Sequence, residues 1–350
     1  MSTGTKPRVL VLRALGLGDL LTAVPALRAL RRHLHGHEIA LAASERLTEP
    51  AAATGLVDRL LPASAPGRAV PATVPWTGPP PDLAVDLHGN GPQSHLLLQR
   101  LRPRRLFAYA HPRMPEIAGP VWRDDEHERE RWCRLLGWYG IEADPTELRI
   151  PLPATPSPAP DAVVLHPGAD AAARRWPKER FAAVARELHR RGHDVVVTAG
   201  GGEEALARFV AAEAGLPSAA VLGGARDVPF DQLAALVARA RCVVVGDTGL
   251  AHLATALGTP SVVLFGPVAP RLWGPPAEPR HRALWHPGAD DSARPGDAHG
   301  RSPDERLLRI TVVEVVEAVL GLPAPESDTS DTRDERSRRA GPPVLPEGSR

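Results

Sequence analysis

Short, continuous apolar runs alternate with helix-like patterns along both halves of this chain, and this alternation constrains its fold more than any other feature. Residues 8–12 form the first apolar run, and a glycine turn separates that run from a helical pattern over residues 20–35. The same arrangement recurs in the second half, at residues 162–166, 194–198, 242–246 and 261–265. Unbroken apolar strands are typical of parallel sheets covered by helices on both faces. The sequence therefore predicts an α/β protein with two Rossmann-like, doubly wound parallel sheets.

A proline-rich stretch divides the two halves. Five of the ten positions at residues 151–160 are proline, and the stretch follows neither a helical nor a strand pattern. A chain of 350 residues also exceeds the roughly 100–200 residues of a usual domain. We therefore expect an N-terminal domain over residues 1–155 and a C-terminal domain over residues 156–322.

The end of the chain departs from this pattern. Residues 274–306 are rich in Pro, Gly, His and Asp and are interpreted as one long loop, followed by a last helix over residues 312–320. The tail at residues 323–350 is charged and proline-rich, with few side chains able to pack, and is predicted to be disordered.

Composition excludes several classes of protein. The formal net charge of +1 argues against a dedicated nucleic-acid binder, because no overall field would attract a polyanion. The two cysteines, Cys133 and Cys242, are too far apart in sequence to indicate a disulfide framework or a zinc site. Neither a signal-peptide pattern nor a membrane-spanning apolar run of about 18–20 residues is present. We expect a cytoplasmic protein, and contact with the inner face of the membrane stays open.

Four motifs at the predicted strand–helix junctions resemble glycosyltransferase family 9, the lipopolysaccharide heptosyltransferases, from about residue 8 to residue 322. They are LGLGDLLTAVPAL at 15–27, DLHGN at 86–90, HPGAD with RRWP at 166–177, and GDTGLAHLA with LFGP at 246–267. The resemblance implies the two-domain GT-B fold. It also implies an inverting transfer of a sugar, heptose in the family, from an ADP-heptose-like donor to a hydroxyl of a glycan or glycolipid.

Asp19 follows the first predicted strand, where open α/β sheets bind their ligands. The residues alone favour a tight glycine turn in which Asp19 caps the next helix. The resemblance implies that Asp19 is the catalytic base, which removes the acceptor proton during inverting transfer. Gly18, beside it, would lie on the acceptor side.

The segment 247–252 is the predicted donor cradle. Thr248, Gly249 and Leu250 would present free N–H groups at a helix N-terminus, which suits a diphosphate, although an ordinary capped helix has the same pattern. The resemblance implies that Asp247 binds hydroxyls of the donor. His252 lies one helical turn further on and is as consistent with a buried structural role as with a ligand contact.

Three cations follow the strand at residues 162–166 and are candidates for the donor phosphates. The resemblance favours Arg174 over Arg175, and Lys178 is the third candidate. A cation here would stabilise the negative charge that develops on a departing nucleoside diphosphate. A solvated basic surface is the alternative.

Further candidates come from the resemblance alone. A glutamate near residue 203 contacts the donor nucleoside in the family, and the sequence does not choose between Glu203 and Glu204. Asp86 and His88 would lie on the acceptor side. The charges of residues 127–131 match a family helix and are interpreted as a stabilising helix surface.

Two alternative functions remain open from sequence. One is a nucleotide-sugar epimerase or hydrolase on the same scaffold, and the other is a non-catalytic nucleotide-sugar binding protein. Neither a cofactor nor a metal is predicted, because no Asp-x-Asp pair follows a strand. Four arginines in residues 97–115 are compatible with an anionic acceptor, a membrane surface or a solvated face, namely Arg100, Arg102, Arg104 and Arg105.

Overall fold

The computed structural model describes residues 6–288 and 296–323. All but the first residue of the predicted disordered tail lies outside the described residues. The described part contains two parallel β-sheets, each with helices packed around it. The predicted α/β class with two Rossmann-like sheets is confirmed, and the arrangement is the GT-B fold.

The first sheet has five parallel strands in the order β3-β2-β1-β4-β5. Its strands are β1 (Arg8–Leu12), β2 (Glu38–Ala43), β3 (Arg59–Pro62), β4 (Leu83–Asp86) and β5 (Leu106–Phe107). The helices of this half are α1 (Leu17–Thr22), α2 (Val24–His33), α3 (Thr48–Ala53), α4 (Gln93–Gln99) and α5 (Glu128–Trp138).

The second sheet has six parallel strands in the order β11-β10-β9-β6-β7-β8. Its strands are β6 (Val163–His166), β7 (Val195–Ala199), β8 (Val221–Gly223), β9 (Cys242–Gly246), β10 (Ser261–Leu264) and β11 (His281–Leu284). The helices of this half are α6 (Lys178–Arg190), α7 (Glu204–Ala214), α8 (Phe230–Ala238), α9 (Gly249–Leu257), α10 (Pro270–Trp273), α11 (Glu305–Arg309) and α12 (Val312–Leu320).

Two secondary-structure expectations need correction. The helix predicted over residues 20–35 is divided at Ala23 into α1 and α2, because Pro25 has no N–H to continue the helical ladder. The long loop predicted over residues 274–306 contains the edge strand β11 and the start of α11. The strand was missed because His281 and Arg282 interrupt the apolar run by which the other strands were identified.

The order of the strands determines where a ligand can enter. In the first sheet the direction of winding reverses between β1 and β4, and in the second it reverses between β6 and β9. At such a switch point the loops after neighbouring strands diverge and leave a crevice at their carboxyl ends. The predicted motifs follow these strands, so both sheets present their candidate residues at a crevice.

The two halves meet where α1 packs against α9. One continuous cluster of buried apolar side chains crosses this contact and includes Leu20 and Leu21 on one side and Leu250 and Leu253 on the other. Residues 151–160 form neither a helix nor a strand. The domain boundary at residues 155 and 156 stays a prediction.

Candidate active site

A cavity of about 850 Å³ lies between the two halves, at the carboxyl ends of both sheets. Its charged and polar lining comes from the ends of β1, β2, β3, β6, β7, β8, β9 and β11 and the segments that follow them: Asp19, Arg46, Arg68, His166, Asp170, Arg174, Arg175, Thr198, Glu203, Asp227, Asp247, Thr248, His252 and His299. The motifs that are far apart in sequence therefore share one pocket. A cavity of this size is sufficient for a nucleotide-sized ligand.

Asp19 lies in the first turn of α1 and is 4% exposed. Its carboxylate accepts a hydrogen bond from the backbone N–H of Gly16 at 3.0 Å and two from one Arg68 nitrogen at 2.7 and 2.8 Å. Burial raises the pKa of Asp19, but the positive charges of Arg13 and Arg68 and the Gly16 hydrogen bond outweigh it. The pKa is therefore below its ordinary value, and Asp19 is a carboxylate at neutral pH.

The contact between α1 and α9 depends on two glycines. A Cβ atom at Gly18 would lie 2.6 Å from a ring carbon of His252, and one at Gly249 would lie 3.0 Å from the Cβ atom of Leu17. The first distance is shorter than van der Waals contact allows, so only glycine permits this approach at Gly18. The N-termini of both helices consequently open into the same cavity.

Thr248 is the N-cap residue of α9, and its extended backbone leaves the first N–H groups of the helix without intrahelical partners. The buried Oγ1 atom of Thr248 has no hydrogen-bond partner among the described residues. A buried hydroxyl without a partner costs free energy, about 1–3 kcal/mol. An anion at this helix N-terminus would satisfy both the N–H groups and the hydroxyl.

Arg174 and Arg175 both line the cavity but point to different parts of it. Arg174 donates to the backbone carbonyl of Asp247 at 2.9 Å, which holds its guanidinium beside the N-terminus of α9. Its Nε atom is buried and has no partner among the described residues. Arg175 instead donates to the Ala169 carbonyl at 2.7 Å and lies 3.7 Å from Glu203. Arg174 is therefore the cation beside the predicted phosphate cradle.

Asp247 and His252 lie on the cavity wall, and the pKa of each is shifted from its ordinary value. Burial raises the pKa of Asp247 to about 6, and the nearby charge of Arg174 offsets only part of this effect. Burial lowers the pKa of His252 to about 4, so its ring is neutral at pH 7. The ring lies 3.9 Å from the Asp247 carboxylate and packs edge-on against Trp273.

The structure distinguishes the two adjacent glutamates by position. Glu203 lines the cavity, and its carboxylate accepts from the N–H of Gly200 at 3.0 Å. Glu204 pairs with Arg208 on the exposed surface of α7, at 2.7 Å, and is absent from the cavity wall. Glu203 is therefore the glutamate that a ligand in this pocket can reach.

Lys178 lies away from the cavity in this structure. Its ammonium group lies 4.0 Å from the ring centre of Phe209, between α6 and α7, and it does not line the cavity. As the first residue of α6 it lies four positions beyond Arg174 and directly after the N-cap residue Pro177. The cation–π contact explains its position without a ligand.

Asp86 is fully buried and does not line the cavity. One of its oxygens accepts from the N–H of His88 at 2.9 Å, and the other lies 3.5 Å from the ring of buried His95. Asp86 therefore shapes the turn after β4. His88 is partly buried and is not a wall residue, but its pKa responds to the charges of Asp19 and Arg68.

The helix predicted as a charged surface is not one. Glu128 and Arg131 of α5 are 6% and 2% exposed, and they form an ion pair inside the N-terminal half. The N-cap residue of α5, His127, accepts from the Arg129 N–H and contacts the Gly274 carbonyl of the other half at 3.0 Å. The spacing of these charges along the helix does not reveal that they are buried, because a partner of Glu128 is the buried side chain of Arg13, far away in sequence.

Sequence reasoning missed Arg13, and also Arg68 and Trp273. Arg13 directly follows β1 and is 1% exposed, although arginine is rarely buried. A charged residue immediately after an apolar strand and six positions before Asp19 was the available signal. Arg68 lies in the proline-rich loop, where no local pattern predicts a contact with Asp19.

Within residues 6–288 and 296–323, no group of three or more His, Cys, Asp or Glu side chains is arranged to hold a metal ion. Among the helices of the same residues, none is long and apolar enough to cross a membrane.

Comparisons with known proteins agree with the motifs. Residues 140–294 match the model of glycosyltransferase family 9 (heptosyltransferase). The chain is 34% identical over 113 residues to lipopolysaccharide heptosyltransferase 3 of Escherichia coli, covering 32% of this chain and 33% of that protein. It is 33% identical over 175 residues to lipopolysaccharide heptosyltransferase 1 of Pseudomonas aeruginosa, covering 49% and 41%. The matched stretches thus span between about a third and two fifths of these relatives.

The fold comparison extends further along the chain. The E. coli ADP-heptose lipopolysaccharide heptosyltransferase II has a TM-score of 0.69 and 20% identity, covering 90% of this chain and 98% of that one. At this identity the likeness concerns the fold alone. The family model over residues 140–294, together with the two lipopolysaccharide heptosyltransferases, confirms the resemblance to glycosyltransferase family 9 that the four motifs predict.

Proposed function

We propose that this protein is an inverting glycosyltransferase that transfers a sugar from a nucleoside diphosphate to a hydroxyl of a glycan or glycolipid. The observation that carries the proposal is the opposition of Asp19 to the N-terminus of α9 and Arg174 within one cavity. One wall supplies a carboxylate, and the other supplies an anion cradle. The family match supports an ADP-heptose-like donor, since the related E. coli structure is described as an ADP-heptose enzyme.

The donor diphosphate would bind at Thr248, Gly249 and Leu250. The unpaired Thr248 hydroxyl and the N-terminal N–H groups of α9 support this position, and the Arg174 guanidinium beside them adds a full positive charge. Negative charge grows on the diphosphate as its bond to the sugar breaks. Cationic and dipolar groups fixed in advance stabilise that charge most in the transition state.

The nucleoside would extend toward the loops after β6 and β7. Glu203 and the glycines at residues 200–202 line this end of the cavity, with Val228 and Leu233 as apolar neighbours. A carboxylate in this position is suited to accept hydrogen bonds from ribose hydroxyls. Asp247, with its raised pKa, would face hydroxyls of the donor sugar.

Asp19 would act as the general base. The acceptor oxygen forms a bond to the anomeric carbon while the bond from that carbon to the diphosphate oxygen breaks, and the hydroxyl proton passes to Asp19. Attack from the face opposite the leaving group inverts the configuration. Arg68 binds both Asp19 oxygens in this structure, so an acceptor hydroxyl must displace or share that contact.

A donor screen followed by a transfer assay tests the proposal. Calorimetry with ADP-, GDP- and UDP-sugars, each with and without EDTA, should detect binding of an ADP-sugar that EDTA does not weaken. Incubation with ADP-heptose and a panel of glycan and glycolipid acceptors should release ADP together with a product of inverted configuration. Failure of every nucleotide sugar to bind would overturn the proposal.

The same assay separates the alternatives. Free sugar or an epimerised donor, formed without an acceptor, would identify a hydrolase or epimerase. Binding with no turnover across the panel would favour a non-catalytic nucleotide-sugar binding protein. The four arginines near residues 100–105 make anionic glycolipids the first acceptors to test. We extend the proposal to a cytoplasmic site of action, with contact at the inner face of the membrane.

A further inference from the structure

A buried ion-pair network lies behind Asp19, on the side away from the cavity. Arg13 donates from Nε to the backbone carbonyl of Asp19 at 2.9 Å and from Nη2 to Glu128 at 2.9 Å. The same Nη2 atom lies 3.6 Å from the Asp19 carboxylate. Arg13 also donates to the carbonyl of Leu87, in the turn after β4. One guanidinium therefore connects α1, α5 and the β4 turn.

Glu128 fixes the orientation of this guanidinium. Its Oε1 atom accepts from Arg13 and from the indole N–H of Trp132 at 3.1 Å, and its Oε2 atom pairs with Arg131. The guanidinium carbon of Arg13 lies 4.7 Å from the centre of a Trp132 ring. Arg13, Glu128 and Trp132 do not line the cavity. None of the three can therefore contact a ligand in the cavity, and Asp19 is the cavity carboxylate that Arg13 contacts.

Stability alone is a weak reason for such a network. Removing charged groups from water carries a desolvation penalty that their attraction often only offsets, and apolar residues of similar volume would fill the space as well. An arginine held from three sides, with one nitrogen near a carboxylate, has a further consequence. It fixes the position and the electrostatic environment of that carboxylate.

On the basis of the proposed function, we propose that Arg13 and Glu128 are positioning residues for the base Asp19. Glu128 orients Arg13, and Arg13 holds the first turn of α1 through the Asp19 carbonyl and keeps the carboxylate ionised. This role differs from that of Arg68, whose side chain is 41% exposed and lines the cavity. When an acceptor displaces Arg68, Arg13 remains as the partner of Asp19.

Five titratable or charged groups act electrostatically on Asp19 or respond to its charge. They are Arg13, Arg68, His88, Asp247 and His252. Burial lowers the pKa of His88 and lowers that of His252 to about 4, so His252 titrates only at the acid end of the assay range. Burial raises the pKa of Asp247 to about 6, so this carboxyl titrates within the assay range and must be controlled with Asp247→Asn.

The test compares Arg13→Gln, Glu128→Gln and Arg13→Lys by transfer kinetics from pH 3 to pH 9, a range that includes the acid limb expected from the lowered pKa of Asp19. Loss of the Arg13 charge should raise the pKa of Asp19, so in Arg13→Gln the acid limb of kcat should move up by about one pH unit. Glu128→Gln leaves the charge of Arg13 in place but no longer fixes the orientation of its guanidinium. Its kcat should fall by about 100-fold, with an acid limb no higher than that of the wild type. Arg13→Lys should restore the acid limb but only part of kcat.

Glu130→Gln is the matched control. Glu130 lies on the same helix, is exposed and undergoes the same chemical change, so its pH profile should equal that of the wild type. Donor affinity, measured by calorimetry, should stay unchanged in every variant because the donor cradle belongs to the other half. Should Arg13→Gln fail to fold, the double variant Arg13→Gln/Glu128→Gln removes the same charge without leaving a buried carboxylate unpaired with it.

The outcomes separate this inference from the function on which it depends. If the wild type transfers and Arg13→Gln or the double variant keeps a wild-type acid limb, the positioning role is wrong while the transferase proposal stands. An equal, pH-independent loss of kcat in all three variants would likewise reduce the network to a structural one. A wild-type protein that transfers to no acceptor would overturn both.

Discussion

At the scale of single residues, the pKa of each carboxyl group in the cavity depends on the balance between burial, which raises it, and nearby positive charge, which lowers it. Asp19 and Asp247 are carboxyl groups on opposite walls of one cavity, yet their pKa values move in opposite directions. Two arginines and a backbone N–H offset the burial of Asp19, whereas Arg174 offsets that of Asp247 only in part. The sequence contains both aspartates in glycine-containing turns, but the number of cations around each one is a tertiary property.

Asp19→Asn should remove transfer and leave donor binding intact. The amide cannot accept the acceptor proton, and a positioned general base contributes about 10²- to 10⁴-fold to the rate. Turnover with ADP-heptose and calorimetric donor affinity measure the two effects separately. Asp194→Asn is the control, because Asp194 is exposed and precedes β7 at the opposite end of its sheet. Normal turnover in Asp19→Asn would disprove the base assignment.

Donor affinity should fall as pH rises through about 6. The pKa of Asp247 is about 6 in the free protein, and the negative charge of a bound diphosphate should raise it further. Binding then takes up a proton, so affinity is greatest below pH 6 and declines above it. The total decline is about tenfold for each unit by which the bound donor raises the pKa of Asp247. Calorimetry with an ADP-sugar, in buffers of different ionisation enthalpy, measures this uptake. Asp247→Asn should abolish it, and a pH-independent wild type would contradict the assignment.

At the scale of elements, the contact between α1 and α9 positions the site. Both helices begin after a strand at a switch point, and both present their N-termini to the cavity. Glycine at positions 18 and 249 allows the two first turns to approach closely. The sequence predicted a tight turn at Gly18, and the structure adds a contact between helices there. That contact also sets the distance between Asp19 and the N-terminus of α9.

Gly18→Ala should destabilise the protein. Its Cβ atom would lie 2.6 Å from the His252 ring, and overpacking of this kind costs about 1–3 kcal/mol. The midpoint of thermal unfolding should fall by several degrees. Gly36→Ala is the matched control, because no atom lies within 4 Å of the corresponding Cβ position. Equal midpoints for the two variants would mean that α1 and α9 separate without cost.

At the scale of the whole molecule, the buried apolar cluster that crosses from α1 to α9 joins the two halves. Its members belong to both sheets, including Val9 and Val85 of the first and Val164 and Val243 of the second. A shared core of this kind couples the stability of one half to that of the other. Domain movement around a ligand would have to be compatible with this contact.

Thermal unfolding should accordingly show one cooperative transition. Separation of the halves would expose the apolar side chains of the α1–α9 contact, so partial unfolding of either half carries that cost. Differential scanning calorimetry should give equal calorimetric and van't Hoff enthalpies. Two resolved transitions would show instead that the halves unfold independently despite their shared cluster.

Much of this protein follows from local sequence. The strands β1, β6, β7, β9 and β10, the helix α12 and the α/β class could be predicted, because a continuous apolar run or a period of 3.6 residues is a local property. The family motifs identified residues on both walls of the cavity, Asp19 on one and Arg174 with residues 247–250 on the other. Strand β11 and the break at Ala23 could not be found this way, since sheet pairing and a single proline overrode the pattern.

The tertiary structure decided which charged residues meet. Lys178 and Arg174 lie four positions apart, yet only Arg174 reaches the cavity, because the start of α6 turns Lys178 onto Phe209. Arg13 and Glu128 are separated by more than a hundred positions and share a buried hydrogen bond. Sequence by itself determined the elements and the chemical types available at their ends. The packing of α1, α5 and α9 determined which of those groups face one another, because burial and Coulomb attraction depend on distances in space.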